Sequence, residues 1–193
     1  MDFLPGGANV CIRVWGIEGQ DPLLFDGDGR RLSPADTTNI PLDPGTRLVT
    51  GGDGHVQMKL PDGTLFTVGP NSDFIIDEFI YDPNNSPEKI AAKLIKGVFR
   101  WVTGKVTRKA PPQMKVMLRN VTVGIRGTDF EAMVAPDGSG AVKLYSGQLN
   151  ITEQKTQRTV LLNAGQMLTF SNDGVFTQPS PLDPAANKLE DFR

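Results

Sequence analysis

The chain has 193 residues, a formal net charge of -2 and 38% hydrophobic residues. Such a chain can bury a core as one domain with a small addition, and its composition does not indicate disorder. A net charge near zero argues against nucleic acid as a partner, because domains that bind nucleic acid are usually strongly basic. Glycine and proline are frequent, and no helical apolar stripe exceeds about three turns. The composition therefore predicts an all-β protein with many turns and little helix.

Compartment is only partly constrained by the sequence. No apolar run reaches the length of about 18 residues that a transmembrane helix needs. The first seven residues lack the basic start and apolar core of a secretory signal, so the protein is expected either to be cytoplasmic or to begin after a removed signal peptide. The single cysteine, Cys11, excludes an internal disulfide and does not choose between compartments.

Strands are predicted wherever apolar residues alternate with polar ones between turn residues. Val56, Met58 and Leu60 are expected to face inward on one strand, and Leu149 and Ile151 on another. Residues 104–115 are predicted as a loop or hairpin end, and a proline-rich tail from residue 178 is predicted to carry a short helix over 183–192. The predicted strands are 10–15, 55–60, 65–68, 74–81, 98–102, 121–123, 141–145, 148–152, 159–162 and 166–170.

Residues 86–97 fit two structures equally well when read locally. Ser86, Pro87 and Glu88 form a good helix start, with an N-cap, a proline at the first helical position and an early acid. Apolar residues at 90, 92 and 94 also alternate with residues 89, 91 and 93, as in a strand.

The most informative stretch lies around Arg126. Gly124 and Gly127 bracket it, and glycines within a strand pattern usually mark a bulge or a close backbone approach. The guanidinium could hold loops together or bind a ligand. We favour the structural role, since no second half of a binding site is visible nearby. If Arg126 is a buried tie, Arg126→Ala is expected to lower stability by about 2–4 kcal/mol.

Charge is unevenly distributed along the chain. No Asp or Glu occurs between residues 89 and 128, and if the basic residues of this segment share a face, an anionic partner is expected. The alternative, which we favour, is that they pair across strands with acidic segments. The basic residues are Lys89, Lys93, Lys96, Arg100, Lys105, Arg108, Lys109, Lys115, Arg119 and Arg126.

Residues for catalysis are scarce. His55 is the only histidine and lies on the expected outer face of a strand, and no nucleophile elbow or nucleotide-binding loop occurs. Asp77 and Glu78 are adjacent on a strand and so are expected to face opposite ways, which prevents them from acting as a pair. We therefore expect no enzymatic activity, no metal and no cofactor.

Several short motifs follow one another along the chain: 45–51 (GTRLVTG), 61–64 (PDGT), 69–72 (GPNS), 77–83 (DEFIYDP), 96–104 (KGVFRWVTG) and Gly124-Ile125-Arg126-Gly127-Thr128-Asp129-Phe130. In this order they resemble the motifs of the FecR domain. The resemblance covers about residues 40–170, and the last motif is its most specific piece. It divides the chain into an N-terminal strand and loop at 1–39, a FecR-like β-domain at 40–170 and a tail at 171–193.

This resemblance implies an extracytoplasmic β-solenoid-like or sandwich domain of stacked short strands, and it favours a strand at 86–97. FecR regulators relay a signal from an outer-membrane transporter to a sigma factor. This chain lacks their N-terminal anti-sigma helices, transmembrane helix and extra α/β module, so it is more similar to stand-alone exported FecR-domain proteins. The resemblance thus implies a periplasmic or secreted protein whose signal peptide has been removed.

The leading functional hypothesis is a non-enzymatic domain that binds a protein or another envelope component in cell-surface signalling. Arg100, Trp101, Asp77 and Tyr81 are the candidate binding residues. Arg126, Gly127, Thr128 and Asp129 are expected to be structural. One alternative is a carbohydrate-binding module that uses exposed aromatic residues such as Trp15, Tyr81 or Tyr145, with a glycan as partner. A third hypothesis is a hydrolase with a carboxylate pair.

Overall fold

The structure is a computed structural model that describes residues 12–19, 22–32, 41–81, 87–104, 113–183 and 185. Within these residues every regular element is a β-strand, which confirms the predicted all-β class. The predicted helix over 183–192 falls almost entirely outside the described residues. The strands are β1 (Ile12–Glu18), β2 (Leu23–Phe25), β3 (Arg31–Leu32), β4 (Pro41–Leu42), β5 (Arg47–Val49), β6 (His55–Lys59), β7 (Leu65–Val68), β8 (Asp73–Tyr81), β9 (Pro87–Val102), β10 (Gln113–Leu118), β11 (Val121–Val134), β12 (Gly140–Glu153), β13 (Thr159–Asn163), β14 (Gln166–Phe170) and β15 (Ser180–Pro181).

Three long strands, β9, β11 and β12, each belong to both layers of a β-sandwich. Hydrogen bonds join all fifteen strands into a continuous network, which the three long strands divide into two layers. Sheet A has the order β3-β2-β5-β8-β9-β10-β11-β12-β13, and sheet B has the order β4-β1-β6-β7-β9-β11-β12-β14-β15. A single apolar core fills the space between them.

Each long strand changes layers at a glycine with a positive φ angle. β9 pairs with β8 and β10 before Gly97 and with β7 and β11 after it. β11 changes its partner from β10 to β9 around Gly127, and β12 changes from β14 to β13 at Gly147. The φ angles are +103°, +59° and +84° respectively. Sheets that share strands need such corners, and glycine adopts these angles without a steric penalty.

Close packing at two of these corners also requires glycine. A Cβ atom on Gly97 would lie 2.1 Å from Ser72 Oγ, and one on Gly147 would lie 2.3 Å from the carbonyl oxygen of Gly127. Ser72 also binds the backbone beyond the first corner, because Val98 donates its N–H to Ser72 Oγ at 3.0 Å. The segment that joins β7 to β8 therefore crosses between the layers directly beside β9.

Aromatic rings form the centre of the core. The rings of Phe66 and Trp101 lie 4.4 Å apart, and those of Phe74 and Phe99 stack at 4.8 Å. Phe130 stacks on Trp101 at 6.2 Å. All five side chains are fully buried. Since Phe74 lies in sheet A and Phe66 in sheet B, the cluster joins the two layers.

Most predicted strands are present with the expected inward faces. Val56, Met58, Leu60, Leu149 and Ile151 are all buried, as predicted. The region 86–97 is a strand and forms the first part of β9. The two strands predicted at 141–145 and 148–152 are one strand, β12, bent at Gly147.

The prediction of a loop over residues 104–115 was wrong at its end. Residues 105–112 lie outside the described residues, but β10 begins at Gln113 and runs parallel to the first part of β9. Met114, Val116 and Leu118 are buried on its inner face. The pattern of alternation was present, but the pair of prolines before it obscured the strand's start.

Replacing three glycines by alanine distinguishes the two reasons for glycine at the corners, which are the positive φ angle and the lack of room for a Cβ atom. We expect Gly97→Ala to lower the free energy of unfolding by about 2–5 kcal/mol, because a left-handed φ and a clash with Ser72 act together. Gly127→Ala should cost about 1–2 kcal/mol, since φ is positive but no atom lies within 4 Å of the new Cβ. Urea unfolding curves measure these values.

Gly124→Ala is the matched control of this series. A Cβ there would meet its nearest atom, Asn150 O, at an ordinary 3.5 Å, and this glycine is absent from the positive-φ set. Its unfolding midpoint should stay at or slightly above that of the wild type. Equal losses at positions 97 and 124 would contradict the corner argument.

Candidate functional site

Arg126 lies on the outer face of sheet A, close to the Gly127 corner. The residues Val121, Val123 and Ile125 on the same strand face the core, so Arg126 points away from it and is exposed. Exposed polar residues of the adjacent strands surround it, and we call this group the basic face. Its members are Gln113 and Lys115 on β10, Arg126 on β11, and Gln148 and Asn150 on β12.

Strand register sets the spacing within the basic face. Arg126 is directly opposite Gln148, and Lys115 and Asn150 are both opposite Gly124. Gly124 contributes no side chain to this face and lies between Lys115 on one side and Asn150 on the other. Among the described residues, no carboxylate lies within ion-pair distance of either cation. Two cations and three amides on a rigid sheet can bind carboxylates or other anionic groups.

The next residues of the same motif, Thr128 and Asp129, make contacts within the fold. Asp129 accepts two hydrogen bonds from Arg100, from Nε and from Nη2, both at 2.9 Å. The Thr103 N–H donates to the Thr128 carbonyl at 2.8 Å, and the Thr128 N–H donates to Thr103 Oγ1 at 3.1 Å. These bonds join β11 to the end of β9 beside the corner.

The prediction that Arg126 is a buried tie was wrong. The arginine that joins the two segments is Arg100, which is 9% exposed, whereas Arg126 is exposed to solvent. Gly127 is the hinge that was expected, with a φ angle of +59°, but Gly124 is not a hinge. The motif therefore divides into a buried part that holds the corner and one cation that faces outward.

The four candidate binding residues do not form one site. Trp101 is 0% exposed within the aromatic cluster, so no ligand reaches it. Arg100 is held by Asp129 on the outer face of sheet B. Asp77 and Tyr81 are both on β8, where Asp77 lies 3.7 Å from Lys93 Nζ and the Tyr81 hydroxyl donates to Asp62 at 3.1 Å.

Three of the seven described basic residues of this segment pair across strands, so the alternative favoured from sequence holds for part of the segment. Lys89 binds Glu78 at 2.8 Å, in addition to the pairs of Lys93 and Arg100 already described. Lys96, Lys115, Arg119 and Arg126 are exposed. Lys105, Arg108 and Lys109 lie outside the described residues.

A β-bulge changes the expected geometry of the two adjacent acids. Ile76 is opposite Ala92 and Glu78 is opposite Ala91, so Asp77 is the extra residue on β8. Asp77 and Glu78 both reach lysines of the outer face of β9, and the prediction that they face opposite ways was wrong. A bulge places two consecutive side chains on one side of a sheet, which sequence alternation alone does not reveal.

A row of polar residues crosses the outer face of sheet B. In strand order it contains Gln57, Thr67, Arg100, Glu131 and Lys143, each opposite the next. The first four are buried, and Lys143 Nζ binds Glu131 at 3.1 Å. Buried charges need partners, and these pairings supply them.

The two tyrosines are both half-buried and both contact carboxylates. Burial and the nearby Glu131 carboxylate raise the pKa of Tyr145 to about 12. Burial, followed by the charge of Asp62, raises the pKa of Tyr81 well above its ordinary value. The side chain of Trp15 is not among those described. Neither tyrosine presents the freely exposed ring that the carbohydrate-binding hypothesis requires.

Comparison with known proteins identifies the family. The family model described as FecR protein matches residues 46–150, more than half of the chain. The chain belongs to the FecR family. No protein of curated function matches it. The match includes the three corner glycines, Gly97, Gly127 and Gly147, and ends before β13.

Solved structures share the fold. Two crystal structures of a putative anti-sigma factor from Parabacteroides distasonis ATCC 8503, at 2.50 and 1.65 Å resolution, match with a TM-score of 0.55 and 17% sequence identity. Each match covers 71% of this chain and 60% of the other. The FecR chain therefore spans well under two thirds of the length of these proteins, and the similarity at this identity concerns the fold.

Exchange of each arginine by alanine tests the division of roles within the motif. Arg100→Ala should lower the free energy of unfolding by about 3–5 kcal/mol, because Asp129 would remain as a poorly solvated charge. Arg126→Ala should change it by less than about 0.5 kcal/mol, as is typical of an exposed side chain. Chemical denaturation of both variants measures the difference. A larger loss for Arg126→Ala would restore the buried-tie hypothesis.

Alkaline titration tests the environments of the tyrosines, of which the chain has only two. The unfolded chain ionises them near pH 10, whereas both pKa values are raised in the folded state. Their contribution to stability is therefore fully present below about pH 10 and is lost as the pH rises toward 12. Tyrosinate absorbance should stay low at pH 10 as long as the protein is folded. Tyr145→Phe should remove part of the tyrosinate absorbance that appears at higher pH. Half-ionisation of the folded protein at pH 10 would contradict these environments.

Proposed function

We propose that this FecR protein is a non-enzymatic, extracytoplasmic domain that binds another protein of the cell envelope as part of cell-surface signalling. Family membership supports a role in signalling, and the shared fold with a putative anti-sigma factor is consistent with it. The protein acts in the periplasm or outside the cell. Within the described residues, no helix is long and apolar enough to cross a membrane.

The observation that carries the proposal is the exposure of Arg126. Its neighbours Thr128 and Asp129 are held by backbone and ion-pair contacts, so the strand that presents Arg126 is rigid. A cation on a rigid strand loses little conformational freedom from its backbone when a partner binds. Sheet A thus offers a preorganised surface for an acidic protein.

The chemistry of the basic face favours an acidic protein segment over a neutral one. Lys115 and Arg126 supply two positive charges, and Gln113, Gln148 and Asn150 supply both donors and acceptors of hydrogen bonds. Lys115 and Asn150 lie opposite Gly124 and Gln148 lies opposite Arg126, so a carboxylate of the partner can reach a cation and an amide together. Charge complementarity of this kind mainly increases the association rate and the selectivity.

Photo-crosslinking in the native cells tests the proposed partner surface. A photoreactive amino acid at Gln148, directly opposite Arg126, should give a discrete adduct with an envelope protein. Arg126→Glu in the same chain should remove that adduct, because charge reversal repels an acidic partner. A photoreactive residue at Val175, which is 57% exposed and outside the basic face, is the control and should give no such adduct.

Cell fractionation accompanies the cross-linking and tests the compartment separately. Recovery of the protein with the cytoplasm would contradict the proposed location. An adduct that persists with Arg126→Glu, or the same adduct from position 175, would contradict the basic face as the binding surface. Circular dichroism and thermal unfolding of the variant must match the wild type for these outcomes to be compared.

A further inference from the structure

β13 is an edge strand among the described residues, and one of its backbone groups, the Asn163 N–H, donates to Gln166 Oε1 at 2.9 Å, a bond that pairing with another strand must replace. It forms the end of sheet A, and among the described residues it pairs with β12 alone. Its five residues, TVLLN, include no proline and no charge, and its register with β12 is continuous without a bulge. Natural proteins usually protect sheet edges with such features, because an open edge pairs readily with another strand.

The other edges of the sandwich are protected. β4 and β15, at the two ends of sheet B, have two residues each and contain Pro41 and Pro181. β3, at the far end of sheet A, also has two residues and begins with Arg31. The part of β8 that extends beyond β5 carries the bulge with two acids. Within the described chain, β13 is therefore the long edge strand that lacks these devices.

An exposed apolar side chain marks the middle of this strand. Leu161 points to the outer face and is 48% exposed, between the exposed residues Thr159 and Asn163. Leu162 is buried, and Val160 packs against the core from a half-buried position. An additional strand beside β13 would cover Leu161 in part and would complete the burial of Val160.

We propose that β13 pairs antiparallel with β13 of a second copy of this chain, so that two sheets A form one continuous sheet. A two-fold axis perpendicular to the sheet keeps both apolar faces on the same side. Residues that face each other must then have the same parity, because neighbouring residues point to opposite faces. Only pairing centred on Leu161 satisfies this condition and also uses all five residues of each strand.

The strand is self-complementary in this register. Leu161 meets Leu161 of the second copy, Val160 meets Leu162, and Thr159 meets Asn163. Apolar residues thus face apolar residues on the inner side, and two small polar residues face each other on the outer side. No like charges are opposed within the strand, so pairing has no electrostatic cost there. Two-fold symmetry makes the Val160–Leu162 and Thr159–Asn163 pairs occur twice, while the Leu161 pair lies on the axis and occurs once.

The interface is small, which determines the expected affinity. One pair of five-residue strands buries less than the roughly 1,200 Å² of typical stable interfaces. The dimer should therefore be weak and should form reversibly as concentration increases. Asn163 and Leu161 lie beside Gln148 and Asn150 of the basic face, so the edge that would pair borders the proposed partner surface, and the two contacts must be distinguished by experiment.

Analytical ultracentrifugation over a concentration series tests the association. The wild type should shift from monomer toward dimer, and Leu161→Lys should remain monomeric, because two ammonium groups would meet on the axis. Val175→Lys is the matched control, since Val175 is also an exposed apolar residue but lies away from β13. It should associate like the wild type. A wild type that stays monomeric at every concentration overturns the proposal.

Cysteine cross-linking tests the register. In a full-length Cys11→Ser background, Leu161→Cys should form a disulfide between two chains on mild oxidation, because the residue faces its own copy. Thr159→Cys alone should not, since its two copies would be about 13 Å apart along the strands. A mixture of Thr159→Cys and Asn163→Cys chains should form the mixed dimer.

The cross-linking outcomes decide between this contact and others. A dimer that Leu161→Lys leaves intact, or that cross-links equally from position 159 alone, would show that another surface or register is used. Retained circular dichroism and melting temperature in each variant exclude misfolding as the cause. If Leu161→Lys abolishes dimerisation but leaves the photo-crosslinked adduct at position 148 unchanged, the β13 contact and the binding of an envelope protein are independent.

Discussion

The fold depends on the passage of long strands from one layer to the other. β9, β11 and β12 must each bend by a large angle within one or two residues, and glycine at 97, 127 and 147 permits this. The Gly97 corner is packed against Ser72 so closely that a methyl group does not fit. Because the same strands belong to both sheets, the relative position of the layers is fixed by covalent connections as well as by the apolar core.

The aromatic cluster and the ion pair of Arg100 with Asp129 depend on these corners. Phe99 and Trp101 face the core only because β9 enters sheet B immediately before them. The same bend sends Arg100 to the outer face, opposite Glu131 and within reach of Asp129. A buried, bidentate pair of this kind is costly to form without exact geometry, and the corner supplies that geometry.

Adjacent residues of the family motif lie in two different environments. From Gly127 onward its residues hold the corner, while Arg126 faces solvent among amides and a lysine. Most of the stretch is therefore engaged in contacts within the fold, and one cation is left exposed. The edge strand β13 belongs to the same sheet but lies outside the residues that match the family. The basic face is cationic, whereas the edge at β13 is neutral and apolar.

The sequence by itself determined the all-β class, the inward faces of most strands and the family. Side-chain alternation has a period of two residues and is read directly from neighbours, which is why Val56, Met58 and Leu149 were assigned correctly. The tertiary structure alone decided which arginine is buried, that β10 runs parallel to β9, and that a bulge turns Asp77 and Glu78 to one side. These features depend on the register between residues far apart in the chain. No local pattern contains that register, because it is set by the fit of the corners and the core.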